Sequence, residues 1–442
     1  MNNKSIAIFT NFSSAEPAYS LNRVVQDQIK MLLHNGYEKI KVLVAEGFVP
    51  IEMYKEVEIV HIPNVPCHNE IRKDETFEAD VEAIYNALKT ALNGVDIVLT
   101  HDLIYQPACL KHNFAARKFA DENLKVKWLH WIHSATSPYT LNSLMGIFED
   151  GYLDLVRKSF PNSFYIFFNQ YSIPRVAKNF GVSQELVKIV PHPLDVYGYW
   201  GIDPMVAQFA DEYELLNAQA ICVYPCRLDR GKQVEIAIKT MAMLKTFGLQ
   251  VRMIVVDFHS TGGDKVTYRD ELKQIGIDWG LNSQELAFTS QFSPDWSAQL
   301  PHALVRQLST FANIMIMPSV SESYSLVTQE AASLGAVVVL NQDFPPFRDI
   351  FGENAIYRRY SSGIDVLTGE DGWTTTKYGP GDASPEERKF HEKNYHKETA
   401  GMIAYRLQNY QNLALRNKVL NERNLDAVFK KYLEPLFYGE VK

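Results

Sequence analysis

The sequence predicts an α/β chain of two doubly wound, Rossmann-like domains. Three observations carry that expectation. Short apolar runs alternate with amphipathic helical stretches. The runs are apolar almost throughout, as in parallel strands covered on both faces. The alternation stops once, across a segment rich in Pro, Gly and aromatic residues, and then restarts. A chain of 442 residues has room for two to three domains at roughly 100–200 residues each.

In the first half, strands are expected at Ser5–Thr10, Ile40–Ala45, Val57–Ile62, Asp96–Thr100, Lys127–His133, Ser163–Phe168 and Val187–Val190. Leu21–Leu33, Phe77–Leu92 and Cys109–Ala120 carry apolar residues at helical spacing between them. Pro191 to about Ala218 reads as a crossing between lobes rather than as an element. Beyond it, strands are expected at Ala220–Pro225, Val251–Asp257, Leu286–Thr289, Asn313–Met317 and Ala336–Leu340, with helices near Lys232–Leu244, Tyr268–Ile275, Leu300–Leu308 and Leu326–Leu334. Glu370–Glu398 looks like a polar surface excursion, and helical periodicity returns from Glu398 to Lys431. The expected division is 1–195, 196–400 and a helical tail, 401–442, packing back toward the first domain.

Hydrophobic residues make up 46% and charged residues 22%, the profile of a globular protein rather than a fibre or a disordered chain. The net charge of -8 gives no overall attraction for polyanions. Apolar runs such as Ala336–Leu340 fall far short of the roughly 20 residues a membrane span needs. The run Ile6–Phe9 behind Lys4 is too short for a signal-peptide core, so a cytoplasmic protein is expected. Cys67, Cys109, Cys222 and Cys226 are too few and too irregular for a disulfide framework, and read as buried thiols.

Several signatures are missing. There is no G-x-G-x-x-G, and Gly231-Lys232 lacks the glycine that a phosphate-binding P-loop requires. No Asp-x-Asp pair occurs, which weakens a metal-bridged nucleotide site. His130 and His133, three apart on an expected strand, point to opposite faces and cannot chelate one ion.

Two constellations remain. In Pro318 to Glu330 (PSVSESYSLVTQE) a strand ends, a loop of small residues follows, and a helix begins near Ser325. Free backbone N–H groups and the positive end of that helix make an anion site. Glu322 then lies in the loop at the mouth. Glu330 falls about one and a half turns into the helix, where an inward carboxylate accepts hydrogen bonds from diol hydroxyls. A helix capped by Ser321 or Ser323, with both carboxylates solvated, fits the same spacing. In Tyr224 to Lys232 (YPCRLDRGK) cations collect where a strand gives way to a helix. Cations disfavour a helix N-terminus unless an anion is bound there, and a diphosphate supplies one; a solvated basic turn is the alternative.

Together these residues resemble the retaining GT-B glycosyltransferases of the glycogen-synthase and bacterial mannosyltransferase type, the Glu-x7-Glu family. The match runs from about Ile221 to Ile350 and includes Ala331 to Val339 (AASLGAVVV) after the second glutamate. The first lobe is similar more loosely, through Asp96 to His101 and Trp131-Ile132-His133. Ser323 and Ser325 stand where many relatives carry glycine.

The resemblance implies a GT-B fold, two Rossmann-like domains facing each other across a cleft, the first binding acceptor and the second binding the nucleotide sugar. It implies Arg227 and Lys232 on the donor diphosphate, backbone N–H groups around Ser325 and Leu326 on phosphate, Glu330 on the ribose and Glu322 near the donor sugar. His133 would hydrogen-bond that sugar. His101 reads instead as a satisfied core residue. The implied catalytic set is His133, Glu322, Arg227 and Lys232, with no metal and no obligatory cofactor, and with a UDP- or GDP-sugar as donor.

A glycan, lipid or small-molecule acceptor is expected. Hydroxymethylated DNA is the alternative, through Lys111, Arg117, Lys118, Lys125 and Lys127 on phosphates and Trp128 or Trp131 for stacking. Against DNA, residues 1–195 hold 19 lysines and arginines but 22 carboxylates, so no lobe-wide basic surface exists. A non-catalytic binding subunit that kept the fold is the third possibility.

Overall fold

The computed structural model describes residues 4–15, 20–63, 75–133, 152–258, 265–319, 322, 324–360 and 383–441. The chain divides into two compact units, Met1–Asp195 with Arg423–Lys442, and Val196–Glu422.

The first unit is built on a seven-stranded sheet: β1 (Ile6–Phe9), β2 (Ile40–Ala45), β3 (Glu58–Ile62), β4 (Ile97–His101), β5 (Lys127–Trp131), β6 (Ser163–Phe167) and β7 (Val187–Ile189). All neighbours pair in parallel, in the order β3-β2-β1-β4-β5-β6-β7. The side-chain period of two splits each strand between two cores. Ala7 and Phe9 of β1 join the core with the helices Phe77–Ala91 and Leu110–Glu122, while Ile6 and Ile8 join the one with the helix Ser20–His34. Burial on both faces is why these strands carry no polar alternation.

The second unit holds β8 (Ala220–Arg227), β9 (Val251–Phe258), β10 (Leu286–Phe288), β11 (Ile314–Met317), β12 (Val337–Asn341) and β13 (Ile356–Arg358). They pair in parallel in the order β10-β9-β8-β11-β12-β13. Cys222, Tyr224 and Cys226 of β8 sit in one core, Ile221 and Val223 in the other. Both sheets therefore run outward in two directions from an inner strand pair, β1/β4 in one and β8/β11 in the other. Ligands of doubly wound sheets bind at that switch, outside the carboxyl ends of the strands.

The structure departs from the sequence expectation in four places. Residues 191–218 contain the short helices Val196–Trp200 and Pro204–Glu212, the latter capped by Asp203 accepting from the Met205 N–H. The edge strand β13 has only three residues and gave no periodic signal. Part of the expected polar excursion is the long helix Pro385–Asn409, opened by a capping box between Ser384 and Glu387; 361–382 lie outside the described residues. The tail divides, because 401–422 belong to the second unit and only Arg423–Lys442 to the first. There the rings of Phe429 and Phe437 lie 5.5 and 5.4 Å from that of Tyr37.

Candidate functional site

In the second unit, β8 ends at Arg227 and the chain makes a tight turn over Arg230–Lys232. Gln233, at φ 47°, then redirects it into the helix Val234–Leu244. The turn is tied to both strands of the switch. The Tyr224 hydroxyl donates to the Lys232 carbonyl at 2.8 Å and reaches Met317 Sδ at 3.5 Å. Ser319 Oγ, just past β11, donates to the Gly231 carbonyl at 3.4 Å. Lys232 Nζ is thereby set against Glu322 Oε1 in an ion pair, with side chains only 21% and 15% exposed. Two residues singled out from separate motifs, ninety positions apart, meet at the switch point.

Arg227 is half-exposed and lies 3.7 Å from Asp229 Oδ2. Arg230 is committed elsewhere, donating to both oxygens of Glu271 at 2.9 and 2.7 Å with its guanidinium over the Tyr268 ring. Ser325 takes φ 55°, the left-handed region that glycine occupies at lower cost. Its hydroxyl bonds that of Thr328 at 2.7 Å, and no side chain among the described residues caps the helix Leu326–Ser333. Ser321 and Ser323, the expected caps, lie outside the described residues. Leu326, at the start of that helix, is exposed. Glu330 is about half-exposed, its Oε1 3.5 Å from His302 Nε2, so the inward carboxylate expected from spacing is a surface group here.

In the first unit, His133 follows β5. Its backbone N–H donates to Asp102 Oδ1 at 2.8 Å, an oxygen that also accepts from the Tyr105 hydroxyl. Asp102 itself sits at φ 55° where β4 ends, and burial raises its carboxyl above the usual range. His133 Nε2 lies 2.8 Å from His101 Nδ1, and His101 Nε2 lies 2.9 Å from Gln28 Oε1. The His192 ring stacks on His133 at 5.4 Å, with 5° between planes. Burial lowers all three histidines: His101 far down, His133 to about 3 and His192 to about 4.

Sequence reasoning singled out His133. It treated His101 as core and passed over Gln28, Asp102 and His192. His101 is indeed buried with both ring nitrogens bonded, yet one of those bonds is to His133. His192 between two prolines and Gln28 on the buried face of a helix were the available signals.

Metal-holding groups of three or more His, Cys, Asp or Glu do not occur among the described residues. The histidine nitrogens 2.8 Å apart share a proton instead, since two nitrogens on one zinc at 2.0–2.1 Å stand about 3.3 Å apart. Cys109, Cys222 and Cys226 are buried free thiols, and burial pushes Cys109 and Cys222 up to about 12.

The basic cluster invoked for DNA is largely engaged within the fold. Lys111 pairs with Asp80 at 2.6 Å and Lys118 with Glu82 at 2.6 Å. Arg117 is buried against Asn113, the Lys158 carbonyl and the Phe160 ring. Lys127 Nζ donates to the Leu436 and Phe437 carbonyls at 3.1 and 3.2 Å. Trp128 and Trp131 are fully buried and offer no face to a base. The lysines cluster in sequence, but the fold gives Lys111, Lys118 and Lys127 separate partners, and only Lys125 stands exposed without an ion pair among the described residues.

Among the described residues, no helix is long and apolar enough to cross a membrane. No family model matches the chain, and no curated protein matches it. Among solved structures, it is similar to HepE from Anabaena in complex with UDP and glucose, at 15% identity over 99% of this chain and 100% of that one, with a TM-score of 0.35. A glycosyltransferase from Rickettsia africae matches at 15% identity over 98% of both chains, TM-score 0.35. Sucrose-phosphate synthase from Thermosynechococcus elongatus matches at 16% identity over 98% and 96%, TM-score 0.32. Likenesses this distant carry no weight for the chemistry, which rests on the residues themselves.

Proposed function

We propose that the chain is a glycosyltransferase that moves a sugar from a nucleoside diphosphate sugar, UDP- or GDP-linked, to an acceptor hydroxyl, with retention at the anomeric carbon. The observation that carries this is the Lys232–Glu322 pair at the β8/β11 switch, beside a helix N-terminus at Leu326 that no side chain among the described residues caps. A little-exposed cation held by a carboxylate is a site where an arriving diphosphate competes for the cation, while helix N–H groups bind its other oxygens. Breaking the bond from the anomeric carbon to the diphosphate oxygen puts negative charge on the leaving group. Lys232 and Arg227 are then preorganised to stabilise it, the work a metal does elsewhere.

In this proposal the second unit binds donor and the first binds acceptor. Glu330, half-exposed beside His302, accepts from the ribose hydroxyls. Glu322 stands near the donor sugar and His133 serves the reaction from the first unit. The acceptor is a glycan, lipid or small molecule, because Lys111 and Lys118 are paired and Arg117, Trp128 and Trp131 are buried, which leaves no continuous basic and aromatic face for DNA.

Titration calorimetry with UDP and GDP tests the donor site. Glu330→Ala is expected to weaken binding of the preferred nucleotide by roughly 1–3 kcal/mol, the scale of charge-assisted hydrogen bonds, with no change in thermal midpoint. Unchanged binding of both nucleotides defeats the ribose contact. Transfer from the preferred donor is also expected to survive EDTA; loss on chelation and recovery with manganese would show a metal at work.

A further inference from the structure

Gln28 is a buried amide on the core-facing side of the helix Ser20–His34. A polar side chain there costs stability unless it is bonded, and the bond it makes is to His101 Nε2. An amide oxygen only accepts, so His101 Nε2 must carry hydrogen. Neutral imidazole has one N–H, which leaves His101 Nδ1 bare. That atom lies 2.8 Å from His133 Nε2, so the proton between them belongs to His133. His133, neutral in turn, has a bare Nδ1, for which no partner is found among the described residues.

We propose that Gln28 is a positioning residue that, acting through His101, fixes the tautomer of His133, so that Nε2 carries the proton and Nδ1 presents a lone pair to a hydroxyl of a bound ligand. Direction enters the chain at the amide and is passed along by each ring, as each bond dictates which nitrogen of the next ring is protonated. The ring is also held in place. Asp102 fixes the His133 backbone, and the His192 and Phe168 rings lie 5.4 Å from it. Burial keeps the imidazoles neutral near pH 7, the state in which a tautomer exists to be chosen. A lone pair in that place selects ligands that donate, as a sugar or other polyol hydroxyl does, and disfavours a bare carbonyl or carboxylate oxygen.

The inference rests on the first unit's geometry alone, so it stands or falls separately from sugar transfer. The test is nitrogen-15 NMR of the histidine rings in the full-length chain at pH 7.5, with His101→Gln and His133→Gln assigning the signals. Wild type is expected to show His101 and His133 each as the single Nε2–H tautomer. Gln28→Leu, which removes the acceptor, is expected to lose the single-tautomer pattern of His133, whereas Gln28→Glu, which accepts at the same place, retains it. A thermal midpoint lowered alike in both variants, with the His133 tautomer unchanged in Gln28→Leu, reduces Gln28 to a structural residue and overturns the proposal. A wild-type spectrum with the proton on His133 Nδ1 overturns it as well, even if Gln28→Leu does not fold.

Discussion

Acidification from pH 7.5 to about 5.5 is expected to lower the unfolding free energy by several kcal/mol. Six histidines, four of them buried (His101, His112, His130 and His396) and two partly buried (His133 and His192), are pushed down by desolvation: His112 and His192 to about 4, His133 and His396 to about 3, His101 and His130 further. In the unfolded chain each titrates near 6.5. Below that value the unfolded state binds protons that the native state refuses, so stability present above pH 6.5 drains as pH falls toward 4. Each histidine contributes about 1.4 kcal/mol per pH unit in that window. Asp27, raised to about 6, and Asp102 and Glu235, also raised by burial, act in the opposite direction, but they are three against six. Against a net stability of roughly 5–15 kcal/mol, the remainder is enough to bring the chain close to unfolding. Urea melts at pH 7.5, 6.5 and 5.5 measure it. His130→Gln, which keeps a polar group near Thr100 Oγ1 without a titrating ring, should flatten the dependence. Equal midpoints at the three pH values would show that the native rings protonate without opening the fold.

Lys232→Ala is expected to reduce kcat for transfer from the preferred nucleotide sugar by about 10²-fold or more, the usual cost of removing one preorganised electrostatic group. The side chain is little exposed and already aligned by the turn, so the charge needs no reorganisation as the diphosphate departs. Its removal also leaves the Glu322 carboxylate without its cation, which adds a stability loss. The double variant Lys232→Met with Glu322→Gln separates the two effects. Stability should recover in it, because no unpaired charge remains, while kcat stays low. Recovery of kcat together with stability would make the pair a structural contact and remove Lys232 from the chemistry.

Much of this was legible before any coordinates. Strands buried on both faces must be apolar throughout, and that pattern showed in β1, β2, β8 and β9 to within two residues. Helices with one buried stripe announced themselves as clearly, Ser20–His34 and Phe77–Ala91 among them. β13 was silent because a three-residue edge strand is too short for any period to appear, and the helix Pro385–Asn409 was silent where its exposed residues are mostly charged. For the site, the cations and carboxylates of the second unit stood out because each lies where an expected strand passes into a helix.

By itself, the sequence determined two doubly wound sheets and the motif residues Arg227, Lys232, Glu322, Ser325 and Glu330 at strand ends and helix starts, because local periodicity and chain order are enough for that. Only the tertiary structure decided which charges are free and which are spent. Lys232 found Glu322 across ninety residues, Arg230 went to Glu271, and Lys111 and Lys118 went to Asp80 and Glu82. Only the tertiary structure, too, joined Gln28, His101 and His133, which come from a helix and from the ends of two neighbouring strands. The physical reason is that a hydrogen bond or an ion pair depends on distance and burial in space, and spacing along the chain constrains neither across a hundred residues.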